Sequence, residues 1–375
     1  MNDTKKHQGG KRNICIIHPE GNIHNNPNLS GIIKILSEKG FKIHVISQKN
    51  KYICQDSRLS DEAELILYTD KLTGSIKKYF ALLRRKYDFL IGIDTGILET
   101  SKIGNLRNIP FGLISYEIMF TDEVSLKSKA KEIKACQGLD FAVSQDSVRA
   151  NQLSLENKIP LSKMIHIPVA GRSIVSSSKS QYLHKKLQIP PDKKIALFTG
   201  AVAKRSMIEE LLNSTTTWPD DWVLVIHNRY GMNKTTASYY NKYKNSRNIY
   251  FSRESCDTLQ DLKLILTSAD IGIALFKPVY DSAFNGKNIQ YLGMSSGKIA
   301  TYLQHGLPVI VNQIGEMSDY VNKYSIGFTI NDINEISGIL NNYKGIRFYR
   351  EKCYSFFKAK LDLNITVNEL LKKLY

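Results

Sequence analysis

Apolar residues in this chain fall into short runs separated by stretches with helical spacing. Asn13-Ile14-Cys15-Ile16-Ile17-His18 is the first run and predicts a buried strand. It ends at the loop Pro19-Glu20-Gly21-Asn22. Beyond it, Leu29, Ile32, Ile33, Ile35 and Leu36 repeat at helical spacing and stop at Gly40, a helix-ending glycine. Further strands are predicted over 41–47, 87–93, 111–115 and 140–144. A second alternation starts near Lys193, with strands over 194–198, 222–227 and 249–251, a helix end feeding a strand over 269–275, and a strand over 308–312. Strand–helix alternation predicts an α/β fold with parallel sheets.

The two series predict two Rossmann-like domains, over 12–170 and 181–347. A Ser-rich stretch without periodicity, Gly171 to Ser180, reads as the linker. The length of 375 residues agrees, being too great for one ordinary core. After 347, Phe348, Tyr349, Phe356, Phe357, Leu361 and Leu363, then Val367, Leu370 and Leu371, suit two helices with one apolar face each.

Composition narrows the class. Hydrophobic residues make up 42% and charged residues 23%, as in a soluble globular protein. No apolar run approaches the roughly 20 residues of a membrane-spanning helix, and Met1 to Arg12 lacks a secretory h-region. The five cysteines are scattered without CxxC spacing, which argues against a disulfide framework or a zinc site and for a cytoplasmic setting. The net charge, 52 − 35 = +17, admits nucleic acid, an anionic membrane surface or phosphorylated substrates as partners, or plain compositional bias. Nucleic-acid motifs are missing, so charge alone does not carry that reading.

Neither Gly21 nor Gly200 sits in a G-x-G-x-x-G pattern, and no P-loop is present. Each nonetheless follows a strand and precedes a helix, where backbone N–H groups can meet an anion. In the second half cations join them. Lys204 and Arg205 follow Gly200, and Ser295-Ser296-Gly297-Lys298 opens a helix of Ile299, Ala300, Tyr302 and Leu303. Hydroxyls, a glycine and a lysine at a helix start form a candidate phosphate cradle; a capped helix with a solvated lysine is the plain alternative.

The segment Ser296 to Ile310 resembles the nucleotide-sugar-binding segment of GT-B glycosyltransferases close to family 4, which read K-x-x-E-Y-x-x-x-G-x-P-V-I. Gly200 to Leu212 resembles their glycine turn, 269–276 the strand before their donor loop, Ser144 to Ala150 a Q-D-x-x-R-A turn, and Ile114 to Ile118 an S-x-E segment. The resemblance implies two domains facing a central cleft, with C-terminal helices, about 348–375, crossing back to the first. It also implies a retaining, metal-independent transfer from a nucleotide sugar, a UDP-sugar above all, to a glycan or lipid-linked acceptor. By it, Lys204, Arg205 and Lys298 contact the donor diphosphate, aided by Gly200, Ser295, Ser296 and Gly297. Arg253 and Glu254 lie where the base is held, and Gly21 and Asn22 face the ligand from the other domain. No other cofactor and no metal is implied.

The pattern departs at Gly293 and Thr301, where many family-4 enzymes carry paired glutamates. Thr301 remains as a weaker partner for a ribose hydroxyl. This departure keeps open a catalytically silent GT-B subunit that supports a partner transferase; a sugar-nucleotide epimerase shares the fold. Asp94 and Glu117, each after a predicted strand, are the candidate acid–base groups, with loop hydrogen bonding as the alternative role. Finally, 76–87 is a basic amphipathic stretch with Ile76, Tyr79, Phe80 and Leu83 on one face. It reads either as a core-packed helix or as one resting on anionic lipid, which would place the protein at the inner face of the membrane.

Overall fold

The computed structural model describes residues 12–375 apart from 22, 24–25, 49–60, 69–71, 177, 229–230 and 253–258. Two compact units emerge: Met1–Ile167 with Leu363–Tyr375, and Pro168–Asp362. The first holds β1 (Asn13–His18), β2 (Lys42–Gln48), β3 (Glu64–Tyr68), β4 (Phe89–Ile93), β5 (Phe111–Ile114), β6 (Phe141–Ser144) and β7 (Met164–His166). They form one seven-stranded sheet in the order β3-β2-β1-β4-β5-β6-β7. The second unit holds β8 (Lys194–Thr199), β9 (Trp222–His227), β10 (Ile249–Ser252), β11 (Ile271–Ala274), β12 (Val309–Asn312) and β13 (Gly327–Ile330). Their six-stranded order is β10-β9-β8-β11-β12-β13. Every pairing in both sheets is parallel. Helices cover the strands, so the central ones read as continuous apolar runs.

The strands absent from the sequence reading are β3, β7 and β13, all at sheet edges. Each is partly exposed or very short, which dilutes the apolar run that marks a strand. In each sheet the strand order reverses beside the first strand, between β1 and β4 and between β8 and β11. Ligands of open α/β sheets bind beyond the strands' carboxyl ends at such a switch point.

Both domain boundaries differ from expectation. The first unit ends at Ile167, and the Ser-rich stretch expected as a linker is stitched onto the second. Ser173 N–H donates to Asp362, Gln304 Nε2 donates to the carbonyls of Arg172 and Ser173, and Val175 N–H donates to Gln304 O. At the other end only Leu363–Tyr375, not 348–375, joins the first unit. The aromatic helix Ile346–Phe356 stays with the second, where Tyr349, Cys353, Phe356, Phe357 and Leu361 belong to its core. Leu363, Val367, Leu370, Leu371 and Leu374 belong instead to the core of the first.

Candidate functional site

In the second unit, β8 ends at Thr199 and turns at Gly200 with φ +109°, a conformation that disfavours a side chain. Lys298 fills the space beside it. A Cβ at Gly200 would lie 3.2 Å from Lys298 Cε. The Lys298 ammonium lies 4.0 Å from the Phe198 ring centroid and 5.2 Å from that of Phe276. Among the described residues no carboxylate pairs with it. Desolvation, then the charge of Arg205, pulls its pKa down to about 7. An ammonium held between ring faces beside a second cation is a site short of negative charge.

Tyr302 builds this arrangement. Its ring lies under β11, where a Cβ at Gly272 would approach Tyr302 Cδ2 to 2.5 Å. Its hydroxyl accepts from Thr199 N–H at 2.9 Å and donates to Leu197 O at 2.9 Å. The end of β8 is thereby fixed to the helix Gly297–Gln304 that carries Lys298. Asn312, at the end of β12, accepts from Phe276 N–H at 2.9 Å and donates to its carbonyl at 2.7 Å. It clamps the chain leaving β11. Arg205 donates from Nη1 to Asn285 Oδ1 at 3.2 Å, and its carbonyl accepts from Lys277 N–H at 2.9 Å.

Gly200, Arg205 and Lys298 therefore come together, and Lys204 stays exposed. The hydroxyls expected in the phosphate cradle have local work. Ser295 donates to Leu292 O at 2.6 Å, and Ser296 caps the helix by accepting from Ile299 N–H at 3.4 Å. Thr301, expected at a ribose hydroxyl, donates to Gly297 O at 2.6 Å. Gly297 presents its N–H at that helix start. Gly293 has φ +47° and donates its N–H to Ile314 O at 3.1 Å. Asn22, Arg253 and Glu254 lie outside the described residues. The sequence reading missed Tyr302's fastening role, Asn285 and Asn312. Tyr302 was legible as an apolar helix position and as the tyrosine of the family pattern, neither of which signals a hydrogen bond to β8, and neither asparagine stands in a motif.

The first unit gathers polar groups at the ends of β1, β4 and β5. Glu20 accepts from Thr95 Oγ1 at 2.5 Å and meets His18 Nδ1 at 3.2 Å. Burial raises the Glu20 pKa, but those bonds outweigh it and hold the carboxyl below its usual range. Gly21 turns the chain after it with φ +71°. Asp94 accepts two backbone N–H groups, from Tyr116 at 2.6 Å and Glu117 at 3.0 Å. Desolvation, with the nearby charges of Glu20 and Glu117, lifts its pKa well above the carboxylate norm. Asp94 thus holds the 115–117 loop, and Glu117 is exposed upon it. The opposite side of that loop is held by Gln145, which donates to Ser115 O at 2.8 Å, and by buried Arg149, which donates to Tyr116 O at 2.7 Å. The Q-D-x-x-R-A turn is a buttress for the loop.

Residues 76–84 of the amphipathic stretch lie on the helix Leu72–Arg84, and 85–87 follow it. Ile76, Tyr79, Phe80 and Leu83 are 60%, 40%, 52% and 46% exposed, so this face is not packed in the core. Lys78, by contrast, is buried, pairs with Glu99 and lies 4.5 Å from the Tyr68 ring centroid. Among the described residues no His, Cys, Asp and Glu group is set to hold a metal, and no helix is long and apolar enough to cross a membrane.

Residues 257–352 match the family described as "Glucosyltransferase 3-like, C-terminal domain". No curated protein matches the chain by sequence. Among solved structures, Anabaena HepE in complex with UDP and glucose is similar over 97% of this chain and 99% of that one, at TM-score 0.75 and 11% identity. A glycosyltransferase from Rickettsia africae is similar over 98% of each chain, at TM-score 0.71 and 15% identity. WaaG, a glycosyltransferase involved in lipopolysaccharide biosynthesis, is similar over 95% of this chain and 98% of that one, at TM-score 0.64 and 12% identity. At these identities the likeness is one of fold: the chain has the GT-B fold that the sequence resemblance implied.

Proposed function

We propose that this chain is a glycosyltransferase that takes a sugar from a nucleoside-diphosphate sugar, with UDP as the nucleotide, and moves it to a glycan or lipid-linked acceptor. The observation that carries the reading is the ammonium of Lys298 at the β8/β11 switch point, beside Arg205 and the Gly200 turn and paired with no carboxylate among the described residues. A diphosphate supplies the negative charge this site lacks. Lys298 and Arg205 stabilise it as it departs, Gly297 N–H donates at the helix start, and Lys204 adds a solvated charge. Leaving-group stabilisation of this kind suits a retaining transfer in which these cations take the part a metal ion plays elsewhere. HepE, with UDP and glucose bound, supports the choice of nucleotide. On the acceptor side, exposed Glu117 is the candidate acid to meet an acceptor hydroxyl, and Asp94 positions the loop that carries it. The exposed apolar face of Leu72–Arg84 supports docking on anionic lipid, which suits a lipid-linked acceptor.

Titration calorimetry with UDP, GDP and UDP-glucose tests the reading. Wild-type protein is expected to bind UDP, and Lys298→Ala to weaken that binding about 10- to 100-fold, the loss of one charge-assisted hydrogen bond. Unchanged UDP affinity in Lys298→Ala would remove the phosphate assignment. A second reading, a catalytically silent subunit, is favoured by Gly293 and Thr301 standing where paired glutamates are common. It predicts nucleotide binding without donor hydrolysis or transfer across a donor panel.

A further inference from the structure

The two switch points carry opposite charge. In the second unit the groups beside β8 and β11 are cations, Lys298 and Arg205. In the first unit, Glu20 follows β1, Asp94 follows β4 and Glu117 follows β5. Acids gathered there repel a phosphate and favour neutral groups that donate hydrogen bonds.

One side chain in this setting is arranged as a hydrogen-bond acceptor. Gly96 lets the chain after β4 close over the end of β1, since a Cβ there would lie 2.2 Å from Ile17 O. That approach brings Thr95 to Glu20, whose Oε1 accepts from Thr95 Oγ1 at 2.5 Å. Glu20 Oε2 faces His18 Nδ1 at 3.2 Å. Burial pushes the Glu20 pKa up, but hydrogen bonds led by those of His18 and Thr95 outweigh it. The carboxylate is therefore ionised at neutral pH and can only accept. Nδ1 carries the hydrogen, and in the neutral imidazole Nε2 is left as the acceptor. No described residue bonds to Nε2. The ring is buried, and Ser47 Oγ donates to the His18 carbonyl at 2.8 Å, so it has little freedom to turn.

Other described histidines share only part of this arrangement. His44 faces Glu64 at 3.4 Å but lies within β2, and His227 ends β9 but faces the Ser252 hydroxyl at 3.0 Å. His18 stands at the carboxyl end of the first strand, beside the reversal of strand order, and the carboxylate that orients it is itself held. An imidazole so placed is set to meet a substrate hydroxyl.

We infer that His18 Nε2 takes the hydrogen bond of a hydroxyl on a neutral sugar acceptor, with Glu20 and Thr95 as the positioning residues that hold its imidazole. The inference rests on the proposed function and narrows its acceptor. What the first unit receives is the uncharged end of a glycoside, not a phosphate. Glu117, exposed on the loop that Asp94 holds, adds a second acceptor for hydroxyl hydrogens.

Wild-type protein, His18→Phe and Glu20→Gln are assayed with UDP-glucose, UDP-galactose and UDP-N-acetylglucosamine as donors. The acceptor probes are neutral p-nitrophenyl glycosides and, for comparison, glucose 6-phosphate. UDP is titrated into each protein, and thermal unfolding is followed. Wild type is expected to use a neutral glycoside with kcat/KM at least about tenfold above that for the sugar phosphate. Both variants are expected to lose about tenfold or more in kcat/KM for the neutral acceptor, the effect of one lost or misdirected hydrogen bond, and to keep UDP affinity within about twofold. Phe fills the buried space without a nitrogen. Gln at position 20 can still accept from Thr95 but no longer fixes the hydrogen on Nδ1, so Glu20→Gln decides the matter if His18→Phe fails to fold. Acceptor kcat/KM within about threefold of wild type in Glu20→Gln overturns the inference, as does equal use of neutral and phosphorylated acceptors or a parallel loss of UDP affinity. A wild type that binds UDP but transfers to no neutral glycoside also overturns it and leaves the nucleotide site standing. A wild type that binds neither UDP nor UDP-glucose overturns both.

Discussion

At the residue scale, Asp94 shows how placement redirects a candidate. A carboxylate after a strand reads as an acid–base group, yet its oxygen is engaged by the N–H groups of Tyr116 and Glu117. Asn retains that acceptor without the charge. Asp94→Asn is therefore expected to fold with stability at pH 7 equal to or above wild type, because the raised pKa means that ionised Asp94 costs stability as pH rises. Asp94→Ala leaves both donors unmet and is expected to cost about 2 kcal/mol or more in urea unfolding. Lys298 titrates the other way round. Its free pKa of about 7 is expected to rise when a diphosphate binds, so binding takes up a proton. UDP affinity should be flat just below pH 7 and fall as pH rises from there, by at most about tenfold per pH unit until the bound-state pKa is passed. Calorimetry at pH 8 in buffers of different ionisation enthalpy should register that proton uptake.

At the scale of elements, the contact of β11 with the helix Gly297–Gln304 fixes the site. Gly272 leaves room for the Tyr302 ring, and Tyr302 ties β8 to that helix. Gly272→Ala forces the ring aside and is expected to cost about 1–3 kcal/mol by overpacking. UDP affinity should fall as well, since Lys298 rides on the displaced helix. Thermal unfolding and UDP titration of the one variant measure both effects. The sequence made much of this level legible. Apolar runs located the central strands because those strands are buried on both faces, and the glycine–cation spacing located Gly200, Arg205 and Lys298. Edge strands β3, β7 and β13 escaped because half-exposed residues break the run. Asn285 and Asn312 escaped because each acts on a partner distant in the chain, Arg205 and Phe276. Ser295 carries a hydroxyl that a phosphate site calls for and Thr301 one that a ribose calls for, but backbone carbonyls within reach take their protons. Composition does not show that local competition.

At the scale of the whole molecule, the chain builds most of one unit, then all of the second, then supplies Leu363–Tyr375 to the first. Leu370 is fully buried in the first unit's core. Leu370→Ala is expected to cost about 2–5 kcal/mol. Limited proteolysis should then cut the first unit sooner and leave the second unit's resistance unchanged. The sequence reading divided this tail from the second domain at about 348, whereas the compact units divide at Leu363. Aromatic and aliphatic positions at helical spacing look alike whichever core receives them. The returning segment also orders events at the ribosome. At about 5–20 residues per second, the roughly 200 residues of the second unit take about 10–40 s to emerge. Throughout that interval the nascent first unit waits with an apolar surface uncovered. It reaches its finished form only after the second unit has been made, so a chain broken off early leaves a greasy, chaperone-attracting fragment in place of a free first unit.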